Sequence, residues 1–306
     1  MKQSQYLEIL KLAKRSLEDY VNWGQDEVLR MPTEIAGQAR NDGSVIVSQA
    51  RNDGSAIAGQ APNEGAIVRQ NAAPFQNREL APQQPARHCG LDPQSIPQLE
   101  ALKDQLKNCR QCPLGEHRLN CVFGVGNPNA DLMFIGEGPG YEEDHQGIPF
   151  IGKAGQLLTK VIEAMGLTRD SVYIANVVKC HPMKDPLDPQ KRANDRPPTT
   201  LEIQTCQKYL DMQIDIIKPK VIAALGASAL KALLPDEKES ISRLRGNFKE
   251  YRNIPLMPTY HPSFLLRNGY SFDNKTSDSP ALKQLKKDYW QDMKKIMNFL
   301  DSGTLL

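Results

Sequence analysis

Polar side chains follow four short apolar runs of the sequence, each long enough for a buried strand. Glu137 lies in the glycine-rich segment GEGPG after DLMFI, and Asn176 ends the run VYIAN. Ser228 follows VIAALGA, and His261 follows LMPTY. In a parallel sheet, ligands bind beyond the carboxyl ends of the strands. The sequence therefore predicts one crevice that collects a carboxylate, an amide, a hydroxyl and an imidazole, groups suited to acid–base chemistry and to hydrogen-bond recognition.

The glycine-rich segment favours a ligand held by backbone N–H groups, and two ligand classes fit it. A strand followed by a glycine-rich turn and a helix is a common arrangement of phosphate-binding sites. A dinucleotide site also needs an acidic residue at the end of the next strand, where this chain has Asn176. Phe150 lies in the segment GIPFIG, and an aromatic ring beside an amide and an imidazole suits a flat ligand such as a nucleobase. The simpler alternative for the glycines is a tight turn that needs them only for its backbone conformation. The simpler alternative for Asn176 is a structural role.

Two cysteines have the spacing with which thiolates hold a metal centre. Cys109 and Cys112 form a CxxC pair, and Cys121, Cys180 and Cys206 are candidates for the remaining positions. Cys180 follows a predicted strand end and Cys206 lies in a predicted helix. Cys121 sits in the apolar segment CVFG and is interpreted as a core residue. Spacing alone does not separate zinc from an iron–sulfur cluster, and a CxxC pair that binds nothing is the remaining alternative.

The elements that must position these residues alternate between strands and helices from residue 98 onward. The predicted strands are Leu132 to Ile135, Val172 to Val177, Val221 to Leu225 and Leu256 to Thr259. The predicted helices cover residues 155–165, 200–217 and 227–234. Because the strands are apolar on both faces and alternate with helices, we predict a three-layer α/β/α sandwich with a short, mainly parallel central sheet.

The first hundred residues differ from this domain, which we predict to span residues 98–300. Residues 1–30 carry apolar side chains at helical spacing and predict an amphipathic helix. Between residues 31 and 97 an eleven-residue unit recurs as GQARNDGSVIV, SQARNDGSAIA and GQAPNEGAIVR, before a Pro- and Gln-rich stretch that contains Cys89. Three such short units bury little surface, so this segment is predicted to be a disordered insertion.

Composition limits the function classes further. The net charge of +2 excludes a global basic surface, so a nucleic-acid partner must be met by a local patch. No apolar run is long enough to span a membrane, and acidic residues interrupt the apolar ones at the N-terminus, which argues against a signal peptide. Six cysteines in a chain of this size favour a cytosolic metal or redox site over a disulfide framework. We therefore expect a cytoplasmic protein.

Six segments form an ordered set of motifs between about residues 105 and 268. They are CRQCPL from Cys109, GEGPGYEED from Gly136, GIPFIG from Gly147, NVVKC from Asn176, ALGAS from Ala224 and HPSFLLR from His261. The set resembles the family 4 uracil-DNA glycosylases, the iron–sulfur branch of that superfamily. The resemblance implies hydrolysis of the N-glycosidic bond of uracil in single- or double-stranded DNA, a 4Fe–4S cluster and a monomer, with a sliding clamp or other repair proteins as candidate partners.

The resemblance also implies a role for each matched residue. The cluster ligands would be Cys109, Cys112, Cys180 and Cys206. The residues that bind uracil would be Gly136, Glu137, Gly138, Glu143, Phe150, Asn176 and His261. The residues that bind DNA would be Ser228, Ser263, Leu265, Leu266 and Arg267, with the two leucines filling the gap left by the flipped base.

Within the uracil-binding set, the expected functions differ. Phe150 would stack on the base, Asn176 would distinguish uracil from cytosine, and Glu143 would crowd the 5-methyl group of thymine. His261 would donate to uracil O2, where negative charge develops as the bond breaks. Glu137 would either position the attacking water or only shape the turn, and with His261 and Asn176 it completes the expected catalytic set.

One departure from the motif pattern bears on mechanism. The segment between Cys180 and Cys206 is longer than in the family and contains HPMKDPLDPQKRANDRPP. A related branch traps uracil covalently through a histidine in a basic inserted loop, but here His181 is the only histidine and the glycine turn lacks that branch's glutamine. Turnover is therefore expected. The rival classes are a zinc- or cluster-containing nucleic-acid-binding module without catalysis and a nucleotide-binding α/β enzyme.

Overall fold

A computed structural model of the protein describes residues 93–272 and 279–305. The predicted N-terminal helix over residues 1–30 lies outside the described residues, and so does the repeat-bearing segment 31–97 except for its last five residues. Within the described ranges, no helix is both long enough and apolar enough for a membrane span.

Helices and strands alternate through most of the described chain. The helices are α1 (Ser95–Lys107), α2 (Leu114–His117), α3 (Tyr141–Gln146), α4 (Lys153–Ala164), α5 (Thr200–Ile217), α6 (Ala227–Leu233), α7 (Ile241–Leu244), α8 (Pro262–Arg267) and α9 (Pro280–Ser302). The strands are β1 (Val125–Gly126), β2 (Leu132–Gly136), β3 (Tyr173–Asn176), β4 (Val221–Leu225), β5 (Lys249–Tyr251) and β6 (Ile254–Thr259). The four predicted strands are β2, β3, β4 and β6, and the three predicted helices are α4, α5 and α6.

The strands form one sheet in the order β1-β3-β2-β4-β6-β5. The four central strands are parallel, and the short edge strands β1 and β5 run antiparallel to their neighbours. In the register, Gly136 lies beside Asn176 and Leu225 lies beside Thr259. The polar residues that follow these strands therefore meet at one edge of the sheet, as the sequence predicted.

Two apolar clusters cover the two faces of the sheet. Successive residues of β2 alternate between them, because side chains of a strand point to opposite faces. Met133 packs in the cluster with α1, α5 and α6, whereas Leu132 and Phe134 pack in the cluster with α4 and α9. These layers confirm the predicted α/β/α sandwich. Helix α1 begins at Ser95, three residues before the predicted domain boundary at residue 98.

Local sequence signals fix the helices that flank the site. Thr199 caps α5 in a reciprocal arrangement with Glu202, and Ser279 caps α9, which has Pro280 at its first position. His261 plays the same part for α8: its ring accepts a hydrogen bond from the backbone N–H of Ser263, and Pro262 begins the helix. The predicted functional histidine is thus also a structural cap, which fixes the orientation of its ring.

Candidate active site

The carboxyl ends of the four parallel strands open into a pocket of about 600 Å³, a volume typical of small-molecule sites. The segments after β2, β3, β4 and β6 all contribute to its wall. The predicted site residues that line it are Glu137, Gly138, Glu143, Phe150, Asn176, Ser228, His261, Ser263 and Arg267. The structure therefore brings most of the predicted base-binding and DNA-binding residues together.

Asn176 presents an unpaired acceptor to this pocket. Its side chain is buried, and its Oδ1 atom has no hydrogen-bond partner. A buried acceptor without a partner costs about 1–3 kcal/mol, so it is uncommon in a free protein unless a ligand satisfies it. Gly136 allows this arrangement, because a Cβ atom there would collide with both the Phe150 ring and Asn176 Oδ1.

Phe150 forms one wall of the pocket and has a strained backbone. Its φ angle is +53°, a region that bulky residues rarely adopt. The Phe150 ring lies near the His261 ring, with centroids 5.6 Å apart. Arg169 supports the turn by donating to the carbonyl oxygens of Pro149 at 2.9 Å and Phe150 at 3.1 Å. Gly155 is also required, because a Cβ atom there would overlap the Phe150 carbonyl group.

Glu143 joins the glycine-rich turn to the Phe150 segment. Its carboxylate accepts hydrogen bonds from the backbone N–H groups of Gly140 at 3.1 Å, Ile151 at 3.0 Å and Gly152 at 3.0 Å. These three bonds orient the carboxylate and fix the two segments relative to each other. The predicted exclusion of thymine by Glu143 is a separate role, and it stays a prediction.

The hydrogen bonds of His261 determine its tautomer. Its Nδ1 atom accepts from the backbone N–H of Ser263 at 3.1 Å, so in the neutral ring the proton resides on Nε2. The Ser263 hydroxyl lies 2.7 Å from the same Nδ1 atom, and Arg267 donates to that hydroxyl at 3.2 Å. Burial, aided by the nearby Arg267 charge, lowers the pKa of His261 to about 4. His261 is therefore a neutral Nε2–H donor at physiological pH.

Glu137, within the glycine turn, lines the same pocket and faces Ser228 of α6. Burial raises the pKa of its carboxyl above the usual value, while a hydrogen bond from Ser228 and the charge of Arg267 oppose this shift. Raised carboxyl pKa values in clefts are common among groups that act on protons or on water. The arrangement suits either of the two predicted roles of Glu137.

The position of Leu265 in helix α8 contradicts its predicted contact with DNA. Leu265 is 0% exposed and packs in the apolar cluster under α4 and α9, so it does not reach the surface. Leu266 is partly buried against the same cluster. The exposed apolar side chain of this helix is Phe264, at 37% exposure, which was not among the predicted DNA-binding residues.

The long segment after Cys180 forms a further wall that the site prediction did not include. Pro182, Asp195, Arg196 and Pro197 line the pocket. Asp195 accepts a hydrogen bond from His181 Nε2 at 2.6 Å, and this contact fixes the segment beside the glycine turn. The only sequence signal for this wall was the unusual length of the segment.

The four predicted ligand cysteines line a second, smaller cavity. Cys109, Cys112, Cys180 and Cys206 converge there, together with Arg118, Lys179 and Tyr209. Arg118 donates to Cys180 Sγ at 3.1 Å. Cys121 packs nearby in the core but does not line the cavity. Among the described residues, no group of three or more His, Cys, Asp or Glu side chains is arranged to hold a single metal ion.

Comparison with known proteins gives a consistent result. Residues 123–294 match the family described as the uracil DNA glycosylase superfamily. The chain is 44% identical to a Type-4 uracil-DNA glycosylase of Thermotoga maritima over 171 residues, which cover 56% of this chain and 84% of the relative. It is 44% identical to one of Sulfurisphaera tokodaii, over 56% of this chain and 76% of the relative. It is 36% identical to one of Archaeoglobus fulgidus, over 65% of this chain and 92% of the relative.

Proposed function

Because the chain belongs to the uracil-DNA glycosylase superfamily, and within it to the Type-4 enzymes, we propose that it removes uracil from DNA. The enzyme flips the uracil nucleotide out of the DNA and hydrolyses its N-glycosidic bond, leaving free uracil and an abasic site for repair. The observation that best supports this specificity is the unpaired Oδ1 atom of Asn176 in the pocket.

Asn176 recognises the edge of uracil by donor and acceptor pattern. Its Oδ1 atom accepts from uracil N3–H, and its Nδ2 atom donates to O4. Cytosine presents an acceptor at N3 and a donor at N4. The acceptor Oδ1 would therefore face an acceptor, and the donor Nδ2 would face a donor. A site built on hydrogen bonds rejects such a mismatch strongly, because its buried polar groups stay unpaired. Phe150 stacks on the face of the base.

His261 stabilises the charge that develops on the leaving uracil. Departure of the base places negative charge on O2, and a neutral imidazole donates Nε2–H to it without first losing or gaining a proton. Preorganised donors of this kind contribute about 10²–10³-fold in rate. Glu137 orients the attacking water, and its carboxyl lies beside the positive character that develops on the sugar.

The surface around α8 and the start of α6 holds the DNA. Ser228, Ser263 and Arg267 contact the phosphates near the flipped nucleotide, since hydroxyl and guanidinium groups are common phosphate ligands. Phe264 is the exposed apolar residue of α8, and we assign to it the part of the wedge that fills the gap in the base stack. Leu266, partly buried beside it, supports the wedge.

The second cavity suits a 4Fe–4S cluster held by Cys109, Cys112, Cys180 and Cys206. Four cysteines are the usual ligands of such a cluster, and zinc would require the same sulfurs close around one ion. Two cations, Arg118 and Lys179, lie at the cysteines and would offset the negative charge of the thiolates. When bound, the cluster would cross-link Cys206 of α5 to the segment that carries Cys109 and Cys112 and to the segment that carries Cys180.

Turnover fits the site better than covalent trapping of uracil. The ring of His181 is fully buried, with Nε2 bonded to Asp195 and Nδ1 3.6 Å from Asp144. Such a ring is not free to attack the sugar. The cytoplasmic location, the monomeric state and the sliding-clamp partner predicted from the sequence stay predictions.

The proposal is tested with single-stranded oligonucleotides that carry one deoxyuridine. The cluster-loaded, brown protein should create an alkali-sensitive site at that position and leave no adduct that survives denaturing electrophoresis. Intact DNA after incubation with brown protein would exclude glycosylase activity, and a stable adduct would instead support trapping. A colourless protein that contains zinc and binds DNA without cleavage would favour the non-catalytic alternative.

A further inference from the structure

Lys179 lies between the base pocket and the cysteine cavity. Its side chain is 0% exposed. The ammonium group donates to the backbone carbonyl oxygen of Asn176 at 2.7 Å and to Gln213 Oε1 at 2.5 Å. Gln213 is itself fixed, because its Nε2 atom donates to the Phe123 carbonyl oxygen at 2.9 Å. One buried cation thus holds the main chain of the residue that reads the base.

The ammonium group has no carboxylate partner in the described ranges 93–272 and 279–305. Lys179 lines the cavity in which the four predicted ligand cysteines converge. A buried cation without a counter-charge is costly. An anionic centre held by the cysteines would offset that cost, so the position of Lys179 is explained once such a centre is bound.

We propose that Lys179 is a positioning residue that couples the cysteine-held cluster to base recognition by Asn176. This inference rests on the proposed function. The charge of Lys179 is balanced by the cluster on one side, and its N–H group holds the Asn176 carbonyl on the other. Only three residues separate Asn176 from Cys180, and the chain between them is tied to the glycine turn: Val177 N–H donates to Gly136 O, and Val178 N–H to Glu137 O.

Arg118 provides a matched control, because it is the second cation at the same cavity. It donates to Cys180 Sγ at 3.1 Å and to the carbonyl oxygens of Leu106 and Lys107 at the end of α1. Within the described residues, its hydrogen bonds do not reach Asn176. Removing either cation should make the cluster harder to reduce, because the reduced cluster carries the larger negative charge. Removing Lys179 should disturb base recognition more than removing Arg118, because only Lys179 bonds the Asn176 carbonyl.

The test compares cluster-loaded Lys179→Met and Arg118→Met with the wild-type protein. Spectroelectrochemical titration measures the midpoint potential of the cluster, and steady-state kinetics on a deoxyuridine oligonucleotide measure KM and kcat separately. We expect a more negative midpoint potential in both variants. Mutations of outer-shell partners of metal ligands cost about 10- to 100-fold. We expect KM to rise about tenfold in Lys179→Met, with kcat nearly unchanged, and to rise by a clearly smaller factor in Arg118→Met.

A wild-type KM or a wild-type midpoint potential in Lys179→Met would overturn the coupling. If that variant cannot be isolated with its cluster, Gln213→Leu decides, because it keeps the charge and loosens the ammonium: a raised KM with an unchanged potential supports the proposal, and an unchanged KM overturns it. The wild-type protein assayed in parallel separates the two claims. Wild-type inactivity refutes the proposed function, whereas normal wild-type activity beside an unaffected Lys179→Met refutes only this inference.

Discussion

Several residues of the pocket are arranged for a ligand at a cost to the free protein. Asn176 buries an unpaired acceptor, Phe150 has a positive φ angle, and the ring of His261 is held with a depressed pKa. Such local costs are typical of functional sites, where stability is exchanged for activity. These costs argue that the three residues have a functional role, because a residue with a purely structural role would stabilise the fold.

Replacing Asn176 should separate activity from stability. In Asn176→Ala, kcat/KM on a deoxyuridine oligonucleotide should fall by about 10²-fold or more, because the site loses its hydrogen bonds to the uracil edge. The melting temperature should not fall by more than about 2 °C, because the lost acceptor had no partner in the free protein. Calorimetry and initial rates measure the two effects. Asn247→Ala, at an exposed position outside the pocket, is the control and should change neither.

A strongly destabilised Asn176→Ala with wild-type kinetics would mean that the asparagine is structural. The recognition assignment would then be wrong.

The depressed pKa of His261 predicts a specific pH dependence. A histidine with a pKa of about 4 stays neutral down to about pH 5, so its protonation should not reduce kcat/KM between pH 8 and pH 6. Any loss from this group should begin only below about pH 5. Initial rates across this range measure the profile, and Glu137→Gln separates the contribution of the neighbouring carboxyl. An acidic limb near pH 6.5 that disappears in His261→Gln would contradict the assignment of a neutral donor.

At the scale of elements, short apolar strands were predictable and short helices were not. The strands β2, β3, β4 and β6 are buried on both faces, and a continuous apolar run bounded by turn residues reveals such a strand. Helix α8 has six residues, too few for a periodic pattern, so the sequence did not show that Leu265 faces the core and Phe264 faces solvent. Helix α9 carried detectable signals, a Ser279 cap before Pro280, that were not used.

The two faces of α8 should respond differently to truncation. Leu265→Ala should lower the free energy of unfolding by about 2–5 kcal/mol, since it leaves a cavity in the core. Phe264→Ala should leave stability nearly unchanged and lower activity on a U·G duplex more than on single-stranded DNA, because only the duplex requires the gap to be filled. Denaturant titration and rates on the two substrates test this pair. Equal losses on both substrates in Phe264→Ala would exclude the wedge role.

Arg169 should matter for the Phe150 turn although it does not line the pocket. In Arg169→Met the carbonyl oxygens of Pro149 and Phe150 lose their donor, so the strained turn should relax and KM should rise several-fold, with a loss of about 1–3 kcal/mol in stability. The exposed Arg192, which forms an ion pair with Glu142 of α3, provides the control variant Arg192→Met. Unchanged inhibition by free uracil in Arg169→Met would show that the turn does not depend on this arginine.

At the scale of the molecule, a parallel sheet places four polar strand ends in one pocket, and the chain after β3 contributes residues both to that pocket and to the cysteine cavity. The sequence predicted the sheet and the pocket from the strand pattern and the carboxyl-end rule, whereas the set of four cysteines came from the family resemblance. It did not predict the wall formed by the segment after Cys180, the contact of Lys179 with Asn176, or the part of Arg169. These depend on side-chain contacts between residues distant in sequence, which no local pattern encodes.

The central claim is that this pocket selects uracil, and base release from matched oligonucleotides tests it most directly. Three single-stranded oligonucleotides, identical except for uracil, cytosine or thymine at one position, are incubated with the cluster-loaded protein, and the freed bases are measured by chromatography. We predict free uracil from the first and no free base from the other two. Release of cytosine or thymine at a rate close to that of uracil, or no release of uracil at all, would contradict the account.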